Sequence, residues 1–174
     1  MEKRTEKKYL PEFVFGAIDG AVTTFAVVAG AMGASLSSLI VLILGFANLF
    51  ADGFSMAMSD YLSTESENEI QTSYRHKHFR SPRKNAFATF LAFVIIGVIP
   101  LISFVVALFV PFIDNHKFLY SMILTGISFL AIGSVKGEIV GKRRIRSAIE
   151  TFIIGGLAAL IAFIVGYAVR GIVG

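Results

Sequence analysis

Five apolar stretches, separated by short polar segments, dominate the chain. They cover residues 13–34, 39–62, 85–110, 118–135 and 148–169. Because lipid offers no partners to the backbone, a segment that crosses a bilayer core roughly 30 Å thick must close its own hydrogen bonds as a helix. The pattern predicts an all-α, polytopic membrane protein with five transmembrane helices. Residues 1–174 form one transmembrane domain in this prediction, with residues 63–84 as a short polar cytoplasmic segment.

The composition supports this class and excludes others. Of the 174 residues, 55% are apolar and 16% are charged, whereas about 25% of the residues in soluble domains are charged. The chain has no cysteine, so it forms neither a disulfide nor a thiolate metal site. The net charge of +4 arises in the polar segments, and we expect no nucleic-acid partner.

The basic residues are distributed unevenly between the two sides of this layout. Fourteen of the 16 Lys and Arg fall in the leader, in the segment 63–84 and in the segment 136–146, which share one side. Lys117 and Arg170 fall on the other side. Since basic residues accumulate in cytoplasmic loops, the N-terminus is predicted to be cytoplasmic and the C-terminus outside or lumenal.

Glycine, proline and serine positions predict local features of the later spans. Gly133, Gly137 and Gly141 recur every four residues and indicate a close helix contact. Pro100 lies inside the third span and is expected to kink it. Ser147 begins a sequence that matches a capping box, which indicates the start of the fifth helix.

Polar residues interrupt the first two spans. Asp19 lies in the first, and Asn48, Asp52 and Met56 lie four residues apart in the second, on one helix face. An ionisable group at such depth usually faces the bundle interior or a water-filled path. A carboxylate is a hard ligand and a thioether a soft one, so the pair suits a borderline transition metal. In the alternative interpretation, Met56 fills a packing gap and Asp52 bonds to a neighbouring helix.

The connection between the first two spans is short enough to predict an antiparallel hairpin. A turn near Ser37 puts Asp19 level with Met56, and Thr23 level with Asp52, within a couple of residues. Two carboxylates and one thioether then fall in the same half of the bilayer.

Two blocks of sequence resemble a known family. They are Asp19-Gly-Ala-Val-Thr-Thr-Phe-Ala-Val-Val-Ala-Gly30 and Ala51-Asp-Gly-Phe-Ser-Met-Ala-Met-Ser-Asp-Tyr-Leu62. With the spacing between them and the five-span layout, they resemble the vacuolar iron transporters, including their shorter nodulin-21-like relatives. The resemblance implies a homodimeric five-helix membrane protein that moves ferrous iron, often manganese, out of the cytosol in exchange for protons. The metal ion is then a substrate, and no resident cofactor is expected.

The same resemblance implies roles for individual residues. Asp19 and Met56 match family residues that line the translocation path. Asn48 stands where members often carry a glutamate, and Asp52 supplies an acid one turn later. The segment 63–84 is too short for the family's glutamate-rich cytoplasmic domain. Its three glutamates are either a remnant of that metal-gathering domain or part of a solvated extension of the second span: Glu65, Glu67 and Glu69.

One aspartate and one methionine cannot complete the coordination shell of a divalent ion. A twofold dimer would bring two copies of Asp19 and Met56 to one axis and supply four ligands. Gly16 and Gly20 are expected to permit close approach at that seam. Burial favours the neutral form of a carboxyl group, so Asp19 is expected to hold a proton until metal enters.

Two other functions remain open from the sequence. The chain could be a channel or carrier for another solute, with Asp19 and Asp52 as a proton relay, or a non-transporting membrane scaffold protein. An enzyme is disfavoured because no nucleophile–base set or phosphate loop appears. The three histidines all lie outside the spans: His76, His78 and His116.

Overall fold

Helices form nearly all of the described chain in a computed structural model that covers residues 10–73 and 80–173. In chain order they are α1 (Leu10–Gly33), α2 (Ser38–Ser73), α3 (Pro82–Gly97), α4 (Ile99–Ala107), α5 (Pro111–Asp114), α6 (Lys117–Val140) and α7 (Arg144–Val173). No strand occurs within those two ranges, which confirms the all-α prediction. The basic leader, His76 and His78 lie outside the described residues.

Four helices are long and apolar enough to cross a membrane: α1, α2 over Ser38–Gln71, α6 and α7. Helices α3 and α4 are long and apolar enough only when taken together, and they are bent by 42° relative to each other. The number of spans rises to five if this bent pair crosses the membrane as one span. The bend lies at Val98, two residues before Pro100. Because proline has no N–H to donate to the carbonyl four residues earlier, it accounts for the kink predicted there.

Helix α1 lies at the centre of the bundle. Half of its apolar membrane-spanning stretch is buried inside the chain, whereas only 11% of the corresponding stretch of α7 is buried. It packs against α3 on one side and α7 on the other, and also contacts α2 and α6. The main apolar core joins it to α4 and α6 through Phe25, Val28, Leu101, Phe104 and Phe129.

Gly16 and Gly20 bring α1 against α3 of the same chain. A Cβ added at Gly16 would lie 2.5 Å from the carbonyl oxygen of Thr89, and one at Gly20 would lie 2.4 Å from that of Phe93. Both distances are shorter than any ordinary contact, so these positions accept only glycine without a backbone shift. The expectation that the two glycines form a seam between subunits is therefore wrong, since α3 already occupies that side of α1.

The turn between α6 and α7 confirms the predicted close contact at two of its three glycines. A Cβ at Gly133 would lie 2.7 Å from the Cα of Ala148, and one at Gly137 would lie 2.8 Å from the Cβ of Ser147. Gly141 instead ends α6 in the left-handed region, at φ 73°. Helix α7 begins at Arg144, so Ser147 is buried within its first turn and is not the predicted N-cap.

We expect Gly133→Ala to lower the free energy of unfolding by about 1–3 kcal/mol, because the added methyl group overpacks the contact between α6 and α7. Gly156→Ala in α7 is the matched control, since an added Cβ there meets no atom within 4 Å. The measurement is thermal or denaturant unfolding in detergent micelles. Equal shifts in the two variants would contradict the packing of the α6–α7 turn.

Candidate functional site

The connection between α1 and α2 sets which residues of the two helices lie side by side. Helix α1 ends at Gly33 and α2 begins at Ser38. Ser35 occupies the left-handed region at φ 55°, and the Leu36 N–H donates to the Ala31 carbonyl at 2.9 Å. The middle of this turn falls between Ser35 and Leu36, whereas the predicted pairing placed the turn near Ser37. Residues of α1 therefore meet residues of α2 about one turn earlier than expected.

Asp19 and Asp52 are the two carboxylates that this turn brings together. Both side chains are half-buried, and the charge of Asp52 acts on Asp19 across the helix pair. Asp19 was predicted to lie level with Met56, but it interacts with Asp52. Met56, also half-buried, lies one turn farther along α2, about 6 Å from Asp52 along the helix axis.

The nearby hydroxyl and amide groups do not neutralise these acids. The Thr23 hydroxyl donates to the backbone carbonyl of Asp19 at 2.8 Å, so it is bound within α1. Asn48 lies one turn before Asp52, and its side-chain nitrogen is buried with no hydrogen-bond partner among the described residues. A buried donor without a partner costs about 1–3 kcal/mol.

One chain does not supply a complete metal shell. Over residues 10–73 and 80–173, no group of three or more His, Asp or Glu side chains is arranged to hold a metal ion. The structure brings two carboxylates, Asp19 and Asp52, within electrostatic reach, with the Asn48 amide one turn to one side along α2 and the Met56 thioether one turn to the other. Carboxylate oxygen and thioether sulfur are atom types that bind metal ions in proteins.

The three candidate glutamates lie apart from this group. Glu65, Glu67 and Glu69 are exposed on the polar extension of α2, which continues unbroken to Ser73. From Asp52 to Glu65 is 13 residues, about 20 Å along the helix. Neighbours two apart do not share a helix face, so the three carboxylates point in different directions. Their exposure agrees with the interpretation of this segment as a solvated extension of the second span, and the three carboxylates do not surround a common point.

A polar seam between α2 and α3 was missed by the sequence reasoning. Its three hydrogen-bonded pairs are Asp60 with Thr89 (2.6 Å), Thr64 with Asn85 (2.9 Å), and Asn68 with the backbone of Arg80 (2.8 and 3.2 Å). The α2 members continue the four-residue spacing of Asn48, Asp52 and Met56, and that spacing was the signal available. The seam fixes the polar extension of α2 against the start of α3.

Glu12 is a second polar residue that the sequence did not single out. It is buried in the first turn of α1, seven residues before Asp19, and therefore on the same helix face. Its carboxylate pairs with the Arg80 guanidinium, which ties α1 to the segment between α2 and α3. Its other oxygen is buried and has no partner among the described residues.

A bundle of apolar spanning helices with facing carboxylates between two of them defines a multi-pass membrane protein with a polar site inside the membrane. A model of the VIT family matches residues 10–80 and 71–167. The chain belongs to this family. Its relatives are transporters, and the chain is not an enzyme.

Curated relatives match most of the chain at low identity. The chain is 26% identical to "Vacuolar iron transporter" of Toxoplasma gondii over 233 residues, covering 98% of this chain and 77% of the relative. It is 26% identical to "Vacuolar iron transporter 1" of Arabidopsis thaliana, over 94% of this chain and 89% of the relative. "Vacuolar iron transporter homolog 4" of Arabidopsis thaliana is 27% identical over 163 residues, with 88% of this chain and 79% of the relative covered.

The lengths of these alignments separate two groups of relatives. The Toxoplasma alignment spans 233 residues, which exceeds the 174 residues of this chain, so that relative carries residues with no counterpart here. The alignment to the Arabidopsis homolog 4 spans 163 residues against 88% of this chain, so its excess is much smaller. The two parts of the family match meet at residues 71–80, where α2 ends and α3 has not yet begun.

Proposed function

We propose that the chain transports divalent transition-metal ions across the membrane, ferrous iron and also manganese, out of the cytosol and in exchange for protons. The observation that carries this proposal is the pair of half-buried carboxylates, Asp19 and Asp52, held within electrostatic reach of each other inside a bundle of the VIT family. The relatives named vacuolar iron transporters supply the identity of the cargo.

The residues around the pair favour a borderline metal. Asp19 and Asp52 offer hard oxygen ligands, and Met56 offers a soft sulfur ligand that Mg²⁺ and Ca²⁺ do not favour. Since Met56 lies a turn away from Asp52, it would bind the ion at a neighbouring step of the path and not at the same moment as Asn48, which is about 12 Å from it along α2.

A homodimer would complete the coordination shell. A twofold axis beside α1 and α2 would add a second Asp19, Asp52 and Met56, because such an interface presents the same surface of both copies. Helix α2 has surface free for this contact, since only 28% of its spanning window is buried inside the chain. The Asn48 side-chain nitrogen, which has no partner among the described residues, would find one across that interface or in water within the path.

The exchange with protons would follow from the repulsion between the two carboxylates. Two facing negative charges in poorly solvated surroundings need a compensating charge, and a bound proton or a cation provides it. A divalent ion that enters from the cytosol would displace the proton, and the proton would return when the ion leaves. The proposed direction, out of the cytosol, is the one that the resemblance to the family implies, and the excess of basic residues favours a cytoplasmic N-terminus.

Glu65, Glu67 and Glu69 would have at most an accessory role. They are exposed near the mouth that the basic segments mark as cytoplasmic, where their charge would raise the local cation concentration. The extra length of the Toxoplasma relative suggests a larger segment at the 71–80 junction, and this chain would work without it.

The first test is flux in proteoliposomes. We expect ferrous iron to enter vesicles only when the protein is present, and proton movement in the opposite direction to accompany it. Collapse of an imposed pH gradient should slow the uptake. A metal-sensitive dye and a pH-sensitive dye measure the two fluxes. If no divalent ion moves, the protein is a scaffold; flux of another solute without metal would make it a different carrier.

Asp19→Asn should reduce metal uptake at least about tenfold, because the variant removes the charge that holds the ion while keeping the side-chain shape. Asp114→Asn is the matched control, since Asp114 is an exposed acid at the end of α5 that pairs with Lys117 at the start of α6. Thermal unfolding verifies that both variants are folded. Full uptake by a folded Asp19→Asn protein would exclude Asp19 from the path.

Met56→Ala should lower the preference for ferrous iron over magnesium, because it removes the soft ligand and leaves the carboxylates in place. Met58→Ala is the control, two residues along the same helix and exposed on another face. The ratio of initial uptake rates for the two ions is the readout. An unchanged ratio in Met56→Ala would make Met56 a packing residue.

A further inference from the structure

A cleft of about 410 Å³ opens between α2 and α3, apart from the candidate metal site. Ala57 and Ala86, one from each helix, are buried at its base. The rings of Phe54 and Phe87 line it and are 59% and 65% exposed. Because the small alanine side chains do not fill the space between the two helices, the phenylalanine rings border an open apolar groove. Its walls belong to helices that cross the membrane, so lipid is the medium around it.

The end of this cleft toward the segment 80–84 is polar. Arg83, in the first turn of α3, lines it together with Tyr61 of α2. Arg83 is exposed and forms no salt bridge in the described part of the chain, whereas Arg80 pairs with Glu12 and Arg144 with Glu138. Glu65 accepts a long 3.4 Å hydrogen bond from the Tyr61 hydroxyl.

We propose that the α2–α3 cleft binds one anionic phospholipid of the leaflet on the basic side. The phosphate binds the Arg83 guanidinium, whose planar set of N–H donors matches phosphate oxygens. One acyl chain lies over Ala57 and Ala86, between Phe54 and Phe87. Basic pockets between transmembrane helices are known to bind acidic lipid headgroups. A phospholipid has both the charge and the hydrocarbon that the two ends of the cleft require.

This inference does not rest on metal transport, because the cleft lies on the outer side of α2 and α3 and contains none of the proposed metal ligands. Free inorganic phosphate would satisfy Arg83 alone, and a neutral lipid would satisfy the apolar walls alone. An anionic lipid differs from both because its phosphate and its acyl chain belong to one molecule and bind the two ends of the cleft together. The experiment therefore has to vary the headgroup and the guanidinium separately.

The chain has no tryptophan, so Phe87→Trp introduces a single fluorescent reporter in the cleft. The protein is reconstituted in phosphatidylcholine vesicles that contain either brominated phosphatidylglycerol or brominated phosphatidylcholine, and quenching is measured at equal bromine content. We expect about fivefold preference for the anionic lipid, the effect of one basic residue near a membrane surface. Phe54→Trp is the second reporter if Phe87→Trp does not fold.

Two matched variants separate the site from general electrostatic attraction. In the reporter background, Arg83→Gln should abolish the preference, while Lys84→Gln should retain it, because Lys84 is the adjacent exposed base but does not line the cleft. A reporter at Ile161→Trp, on the exposed surface of α7, should show no preference.

Four results would overturn the proposal. Equal losses in Arg83→Gln and Lys84→Gln would mean diffuse attraction, and an unchanged preference in Arg83→Gln would exclude that side chain. Relief of quenching by inorganic phosphate would identify a free-anion site. Absence of quenching by either lipid in a folded reporter protein would mean that another surface, such as a second copy of the chain, covers the cleft.

Discussion

The rest of the structure depends on the short turn that holds Asp19 of α1 and Asp52 of α2, both half-buried, within electrostatic reach of each other. The turn between α1 and α2 is too short to let Asp19 and Asp52 slide apart along their helices. Helix α3 fixes both from behind, through the glycine contacts of α1 and the hydrogen-bonded seam of α2. The repulsion therefore cannot be relieved by movement of the backbone alone. Under the proposed function, a bound proton or a cation would relieve it.

Helices α1 and α2 differ in how much of their surface other helices of the chain cover. Helix α1 is enclosed by α3 and α7, and glycines on both sides let the backbones approach closely. In lipid, such close packing replaces the hydrophobic driving force that assembles soluble proteins. Helix α2 is peripheral and leaves most of its surface uncovered. This uncovered surface of α2 is where the proposed second subunit and lipid would bind, and the polar pair and the α2–α3 cleft lie on different faces of it.

Hydropathy and spacing were enough to predict four of the spans, the hairpin, the kink at Pro100 and the contact at Gly133 and Gly137. They were not enough to predict which neighbour a face meets. Gly16 and Gly20 signalled a close approach, but nothing in their spacing distinguishes α3 of the same chain from a second copy. The level of Asp19 was wrong by a turn because Ser35, a residue without special freedom, takes the left-handed conformation and advances the turn. Ser147 matched a capping box, yet the tight exit at Gly141 starts α7 three residues earlier. In each case tertiary packing decided between local possibilities that the sequence left equal.

The residues of α2 that recur every four positions from Asn48 to Asn68 form a ladder, and its two ends have different surroundings. Residues four apart in an α-helix are displaced by about 40° around the axis. From Asp52 to Asp60 the ladder therefore turns by about 80°, and from Asp52 to Asn68 by about 160°. Near Asn48 and Asp52 it faces α1 and the open side of the bundle, where the Asn48 amide nitrogen finds no partner in the described chain. From Asp60 onward it has rotated onto α3, and each of its polar groups is bonded there. The same helical drift thus leaves one end of the ladder free for the proposed ion path and uses the other to anchor α2 to α3.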